Sequence, residues 1–264
     1  MTRFEICSLV FIGVVSFAMS YLGAAVGLVL GHFRVVLIGY VLGSAAGGAA
    51  TSMAISTVST FSGALAHARS GRVQLAPVLL IGAPSAVAAY VAAGYACRTD
   101  PRLLKLAIAC ALLVAAADLL WRRRPPVVRS APEPRPDSSP VLAVAAQVFI
   151  GTVLGAISGF VGLLLGSLRL PAMVRIGVEP RTAIGTNMTI GAITGLSAGI
   201  SALAVGQVNY EAFAIVAPMA FIGSHLGAQQ TGKLDPVRLT RWIAAALIVT
   251  ATGMFVDFWF GKSR

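Results

Sequence analysis

Long apolar runs fill this chain and decide what it can fold into. Five precede a single polar stretch, at about 6–26, 27–43, 45–66, 76–97 and 103–121. Five follow it, at about 141–161, 162–178, 182–205, 212–230 and 237–260. Most approach the roughly 20 residues that a helix needs to cross a bilayer. The 264 residues are 57% hydrophobic and only 11% charged, with a mean hydropathy of +0.86. Soluble domains average about 45–50% apolar and about 25% charged residues. So few charges cannot cover so much apolar surface in water, so the bilayer is the natural solvent. The expected fold class is an all-α membrane protein, a polytopic helical bundle. This argues against a soluble enzyme, a nucleic-acid binder and a secreted disulfide scaffold.

The polar stretch, Arg122 to Pro140, is rich in Pro, Arg and Ser. It reads as an extended linker and gives three parts: a first transmembrane repeat over 1–121, a linker over 122–140 and a second repeat over 141–264. Five arginines of this stretch and the cations flanking other apolar runs account for much of the net charge of +11. Positive residues beside membrane spans mark the cytoplasmic side, so the linker is expected to be cytoplasmic and poorly ordered. Cys7, Cys97 and Cys110 form no CxxC pair and read as packing or chance rather than redox or metal chemistry. The chain carries no HExxH and no Ser/His/Asp set in a supporting context. No catalytic residue, metal ligand or cofactor is expected.

The two apolar halves are repeats. A shift of 135 residues carries Thr51 onto Thr186 and aligns the halves without a gap from about Val26 to Val114. It lays Gly27, Gly31 and Arg34 on Gly162, Gly166 and Arg169. It lays Thr51-Ser52-Met53 on Thr186-Asn187-Met188, and Asp100-Pro101 on Asp235-Pro236. Apolar bias does not explain matched Arg, Gly and Asp-Pro positions, and duplication of this kind is a common build for transporters. The second run of each half is short. About 17 residues make a helix of roughly 25 Å, against a hydrocarbon core of roughly 30 Å. Two readings stand: discontinuous helices that build a substrate site, or short tilted helices packed through GxxxG.

Arg34 and Arg169 are the first site candidates. An arginine inside the membrane costs at least about 2.5–3.5 kcal/mol on insertion scales, and here the cost is met twice at one repeat position. Its planar fork of donors suits sulfonate or carboxylate oxygens. The alternatives are snorkelling to the interface and pairing with an internal carboxylate. Thr51, Ser52, Thr186 and Asn187 fall just inside the third runs, where they can cap a helix or offer donors to an anion. Ser56, Ser59 and Gly63, with Gly191, Thr194 and Ala198 in the second half, form a small polar stripe that lines a pathway or lets helices pack. His225, within a run, is the better proton-coupling candidate, with a hydrogen-bonded structural role as its rival. His67, beside Arg69 and Arg72, reads as an exposed loop histidine.

At Ser158 to Gly166, Pro171, Gly177 to Pro180 and Ala183 to Asn187, the chain resembles the TauE/SafE sulfite-exporter family, also called the toluene-sulfonate uptake permease family. The resemblance is clearest over about 149–245. It implies two homologous halves of about four crossing helices each, plus short broken helices, and transport of sulfite or organosulfonates. It also adds Gly162 and Gly166 to the site, since the Gly-rich run is where backbone N–H groups approach an anion. The family's glycine run is reduced here to these two, and His32 and Val36 stand in the first half near the expected Pro. The implied partners are a small anionic substrate and the lipid bilayer, with a homo-oligomer open and nucleic acid not expected. The implied location is the bacterial inner membrane. The rival functions are transport of another small organic anion and a non-transporting membrane interaction or assembly role.

Overall fold

The computed structural model describes residues 3–121, 140–231 and 236–260. The linker therefore lies outside the described residues, apart from Pro140. The described residues form an all-α bundle. In the first half run α1 (Arg3–Val26), the short α2 (His32–Leu42), α3 (Ala45–Arg69), α4 (Leu75–Ala96) and α5 (Pro101–Trp121). In the second run α6 (Pro140–Val161), the short α7 (Gly166–Arg175), α8 (Pro180–Ala204), α9 (Tyr210–Gln229) and α10 (Pro236–Phe260). Among the described residues, five helical segments are long and apolar enough to cross a membrane: Glu5–Val26, Leu75–Ala96, Val141–Val161, Pro180–Ala204 and Tyr210–Gln229. Exposed Phe11, Leu79, Val87, Phe149 and Val249 give the bundle the apolar exterior that lipid requires.

Helix starts follow punctuation in the sequence. Ser44 caps α3 by accepting from the Gly47 N–H at 3.0 Å. Glu179 caps α8, with Pro180 at its first position, where a missing N–H costs nothing. Ala45 and Pro180, Leu75 and Tyr210, and Pro101 and Pro236 are helix starts separated by the same shift that aligns the sequence. Packing partners exchange in the same way. Helix α1 packs on α9 and α4 on α6; α3 meets α8 and α9, and α8 also meets α4. Helices α5 and α10 pair with each other, α2 rests on α3, and α7 rests on α8.

Small residues let these helices approach backbone to backbone, which replaces the hydrophobic driving force that lipid removes. Gly151, Gly155 and Gly159 on α6 face the backbone of Ile81, Ser85 and Ala89 on α4. Gly223 and Gly227 on α9 face the carbonyls of Phe17 and Tyr21 on α1. Helix α4 carries a π-helical turn at Val78–Gly82, which includes Ile81, the residue that Gly151 of α6 packs against.

The short runs break as helices. The chain leaves α1 through Gly27 at φ +77° and leaves α6 through Gly162 at φ +71°, a left-handed conformation that L side chains rarely adopt. Irregular residues follow, and then α2 of 11 residues and α7 of 10. At 1.5 Å per residue each short helix is only about 15 Å long, too short to cross a hydrocarbon core.

Candidate functional site

The two breaks meet in the middle of the bundle. Asn187, wholly buried on α8, donates from its amide nitrogen to the Gly27 carbonyl at 3.0 Å and to the Gly166 carbonyl at 3.0 Å. One side chain thereby ties the first break to the second. A Cβ at Gly166 would lie 3.1 Å from Val29 Cγ2, so the two irregular segments are in close contact. Gly27 packs on Ile184 of α8, and Gly162 packs on Ala49 of α3. Each break is thus seated on the third helix of the opposite half. Irregular backbone at membrane depth is tolerated where protein surrounds it.

Arg34 and Arg169 rise from the first turns of the short helices that leave this junction. Both are buried, at 4% and 0% exposure. Arg34 donates through Nη2 to Ser56 Oγ at 2.7 Å and through Nη1 to Ser20 Oγ at 3.4 Å. Ser59 donates to the same Ser20 oxygen at 3.1 Å, which links α1, α2 and α3 in one polar cluster. Arg169 is different: its Nε, Nη1 and Nη2 have no hydrogen-bond partner among the described residues. Neither guanidinium is hydrogen-bonded to a carboxylate among the described residues.

Thr51, Ser52, Thr186 and Asn187 sit around this junction, all buried. Ser52 Oγ donates to the Gly31 carbonyl at 3.4 Å. Asn187 makes the corresponding contact to Gly166. Thr51 Oγ1 accepts from the Asn209 N–H at 2.9 Å, and Thr186 Oγ1 accepts from the Gln74 N–H at 3.0 Å. The expectation that Thr51, Ser52, Thr186 and Asn187 stand at helix starts needs correction. The helices begin earlier, at Ala45 and Pro180, so these residues lie about two turns inside and the caps fall to Ser44 and Glu179. Their polar atoms serve neighbouring segments instead.

Of the polar stripe, Ser56 and Ser59 belong to the Arg34 cluster, and Thr194 shares a hydrogen bond of 2.9 Å with Ser85 on α4. Gly63 lies under Ser224 of α9. His225 is partly exposed and stacks on Phe221, with ring centroids 6.5 Å apart and planes 5° from parallel. It makes no hydrogen bond to either arginine. His67 is 0% exposed, contrary to the expected loop position, because the chain after α3 folds back beneath Gly185. Sequence reasoning missed His32. It opens α2 at 2% exposure with both ring nitrogens lacking a partner among the described residues. The signal was its repeat partner Ser167, a second polar residue at the start of a short helix.

An apolar cleft of about 1030 Å³ opens between α4, α5 and α6, lined by Val87, Val91, Tyr95, Val114, Phe160 and Leu168 among others. None of its lining residues is charged, so it offers nothing to compensate an anion. Outside the spans, the Glu179 carboxyl is held below the usual range. Burial alone would raise it, but hydrogen bonds from Thr182 and Arg181 and the charge of Arg181 outweigh burial.

Comparison with known proteins agrees with this architecture. The family model described as "Sulfite exporter TauE/SafE" matches residues 9–254. A Bacillus subtilis (strain 168) protein named "Probable membrane transporter protein YdhB" is 25% identical over 192 residues, covering 72% of this chain and 76% of that protein. A second from the same organism, "Probable membrane transporter protein YunE", is 28% identical over 103 residues, covering 39% of this chain and 38% of that protein. No solved structure matches the chain. Ten helices among the described residues, an apolar exterior, a family match over nearly the whole length and relatives named as transporters make this chain a multi-pass membrane transporter of the TauE/SafE sulfite exporter family.

Proposed function

We propose that this protein is a secondary transporter, not an enzyme, that carries a small sulfur-containing oxyanion such as sulfite or an organosulfonate across the bacterial inner membrane. The observation that carries this reading is the pair of buried arginines beside the junction of two broken segments. A buried cation is expensive unless an opposite charge and hydrogen bonds accompany it. A substrate oxyanion supplies both, and a guanidinium fork presents two parallel donors to its oxygens. The starts of α2 and α7 bring the positive ends of two helix dipoles to the same junction, a recurrent arrangement at transporter anion sites. Thr51, Ser52, Thr186, Asn187, Gly162 and Gly166 frame the junction, and His225 is kept as the candidate proton-coupling group. The sulfur chemistry of the substrate rests on the family.

In this reading 1–121 and 141–264 are two repeats that move against each other around the junction. The arginine-rich linker 122–140 then faces the cytoplasm. Flux of radiolabelled sulfite and of a labelled sulfonate into proteoliposomes tests the function: saturable uptake above that of protein-free vesicles is expected. Equal uptake with and without protein for every anion overturns it. Ser130→Cys, in a background with Cys7, Cys97 and Cys110 replaced by serine and treated with an impermeant thiol reagent in intact cells, is expected to stay unlabelled.

A further inference from the structure

The two arginines occupy one repeat position, yet their surroundings differ. Arg34 is held by Ser20 and Ser56. The repeat shift carries those serines onto Gly155 and Gly191, so the second half lacks both hydroxyls. At 155 packing leaves no choice, because a Cβ would run into the backbone of Ser85 on α4. At 191 the constraint is absent. A Cβ there would meet Thr60 Cγ2 at 3.4 Å and Leu164 Cδ1 at 3.8 Å, both ordinary contacts. Glycine inside a helix is nevertheless unfavourable, by about 1 kcal/mol relative to alanine. Arg169, at 0% exposure with its three guanidinium nitrogens unpartnered among the described residues, is what remains.

We propose that the arginines divide their roles: Arg169 is the ligand-binding guanidinium of a single oxyanion site in each chain, and Arg34 is a framework cation fixed by Ser20 and Ser56. This rests on the reading of the protein as an anion transporter and refines it from a twin site to an asymmetric one. Arg34 spends two of its donors on α1 and α3, which locks α2 to the first half. Arg169 keeps all of its donors for two oxygens of one anion, and those charge-assisted bonds are the stronger for lying in a low-dielectric interior. Asn187, which holds the Gly166 end of the same short segment, sets the position from which Arg169 reaches the ligand.

The test uses the full chain, purified and reconstituted in nanodiscs, with sulfite, methanesulfonate and sulfate as probes in calorimetric titrations. Loss of one charge-assisted contact corresponds to about 10- to 100-fold weaker binding. Arg169→Gln is expected to lose at least that factor, and Arg169→Lys to recover only part of it, since the fork is gone. Ser56→Ala is expected to hold the affinity within about threefold while lowering the unfolding temperature, and Arg34→Gln to weaken binding clearly less than Arg169→Gln does. Ser56→Ala also guards against an Arg34 variant that fails to fold. Equal losses for Arg34→Gln and Arg169→Gln, a large loss in Ser56→Ala, or unchanged binding in Arg169→Gln overturns the asymmetry while wild-type binding upholds the transporter reading. If wild-type protein binds none of the probes and shows no flux in proteoliposomes, both fall.

Discussion

Thr51 Oγ1 accepts a hydrogen bond of 2.9 Å from the backbone N–H of Asn209, the residue that caps α9 in the other half of the chain. Its repeat partner does the reverse: Thr186 Oγ1 accepts from the N–H of Gln74, which precedes α4, at 3.0 Å. Each half thus holds the entry to the fourth helix of the other. Thr51→Val and Thr186→Val keep the side-chain shape and remove the acceptor. Each is expected to lower stability by about 1 kcal/mol, read as a drop in the unfolding midpoint of detergent-solubilised protein. Thr→Ser at either site restores the acceptor and is expected to recover most of the loss. If valine is neutral at both positions, these bonds do not hold the halves together.

Two glycines of the second half, Gly162 and Gly191, are expected to respond to alanine with opposite signs. Gly162 sits at φ +71°, and a Cβ there would meet Ala49 O at 2.6 Å and Ala49 Cα at 2.7 Å. The left-handed backbone alone costs an L residue roughly 1–2 kcal/mol, and the backbone clash adds to it. Gly191 is helical with room for a methyl group, so Gly191→Ala is expected to raise stability by up to about 1 kcal/mol. Thermal unfolding of the two variants side by side is the measurement. A stabilised Gly162→Ala would contradict the turn that ends α6.

Much of this fold was legible because membrane sequences are punctuated simply. The apolar runs, Gly27 and Gly162, and the Asp-Pro pairs at 100–101 and 235–236 mark where helices stop and start. The class of fold follows from them, whereas the short runs fit discontinuous helices and short tilted ones alike, and the left-handed turns at Gly27 and Gly162 decide for the first. The start of α3 was less legible. The third run begins at 45, yet Thr51 and Ser52 read as residues just inside a helix start; Ala45 to Ala50 is already helix, with Gly48 packed directly on the backbone of Gly39 in α2. His67 looks like a loop residue from its arginine neighbours, and only the return of the chain under Gly185 buries it. The contrast between the arginines was written in the sequence as Ser20 and Ser56 against Gly155 and Gly191. It carries no meaning until the fold brings α1 and α3 to Arg34.

The cap at Glu179 gives a pH signature. Its carboxylate accepts from the Arg181 N–H at 3.2 Å, the Thr182 N–H at 2.9 Å and the Thr182 hydroxyl at 2.8 Å. The folded pKa is lowered, so the unfolded chain binds this proton more readily. The stabilisation is therefore present above the unfolded carboxylate pKa and is lost as pH falls through the lower folded value. Glu179→Gln is expected to lower the unfolding midpoint at neutral pH, with the gap to wild type closing in acid below the ordinary glutamate range. A gap that widens on acidification would reverse the sign and refute the cap.

Asn187 is the sharpest structural test of the junction. Its amide reaches the carbonyl of Gly27 from one break and that of Gly166 from the other. Aspartate at this position has the same shape but, when ionised, no donor, and it would set a negative charge against two carbonyl oxygens. Asn187→Asp should therefore destabilise more than Asn187→Ala, which leaves the carbonyls unpaired but unopposed at about 1–3 kcal/mol each. The functional consequence separates support from packing. Loosening the Gly166 end shifts the base of α7, so anion affinity should fall in Asn187→Ala even where the protein remains folded. Unfolding midpoints and calorimetric sulfite binding on the same samples decide it. Unchanged midpoints in both variants would mean that the two breaks are held together by something other than this side chain.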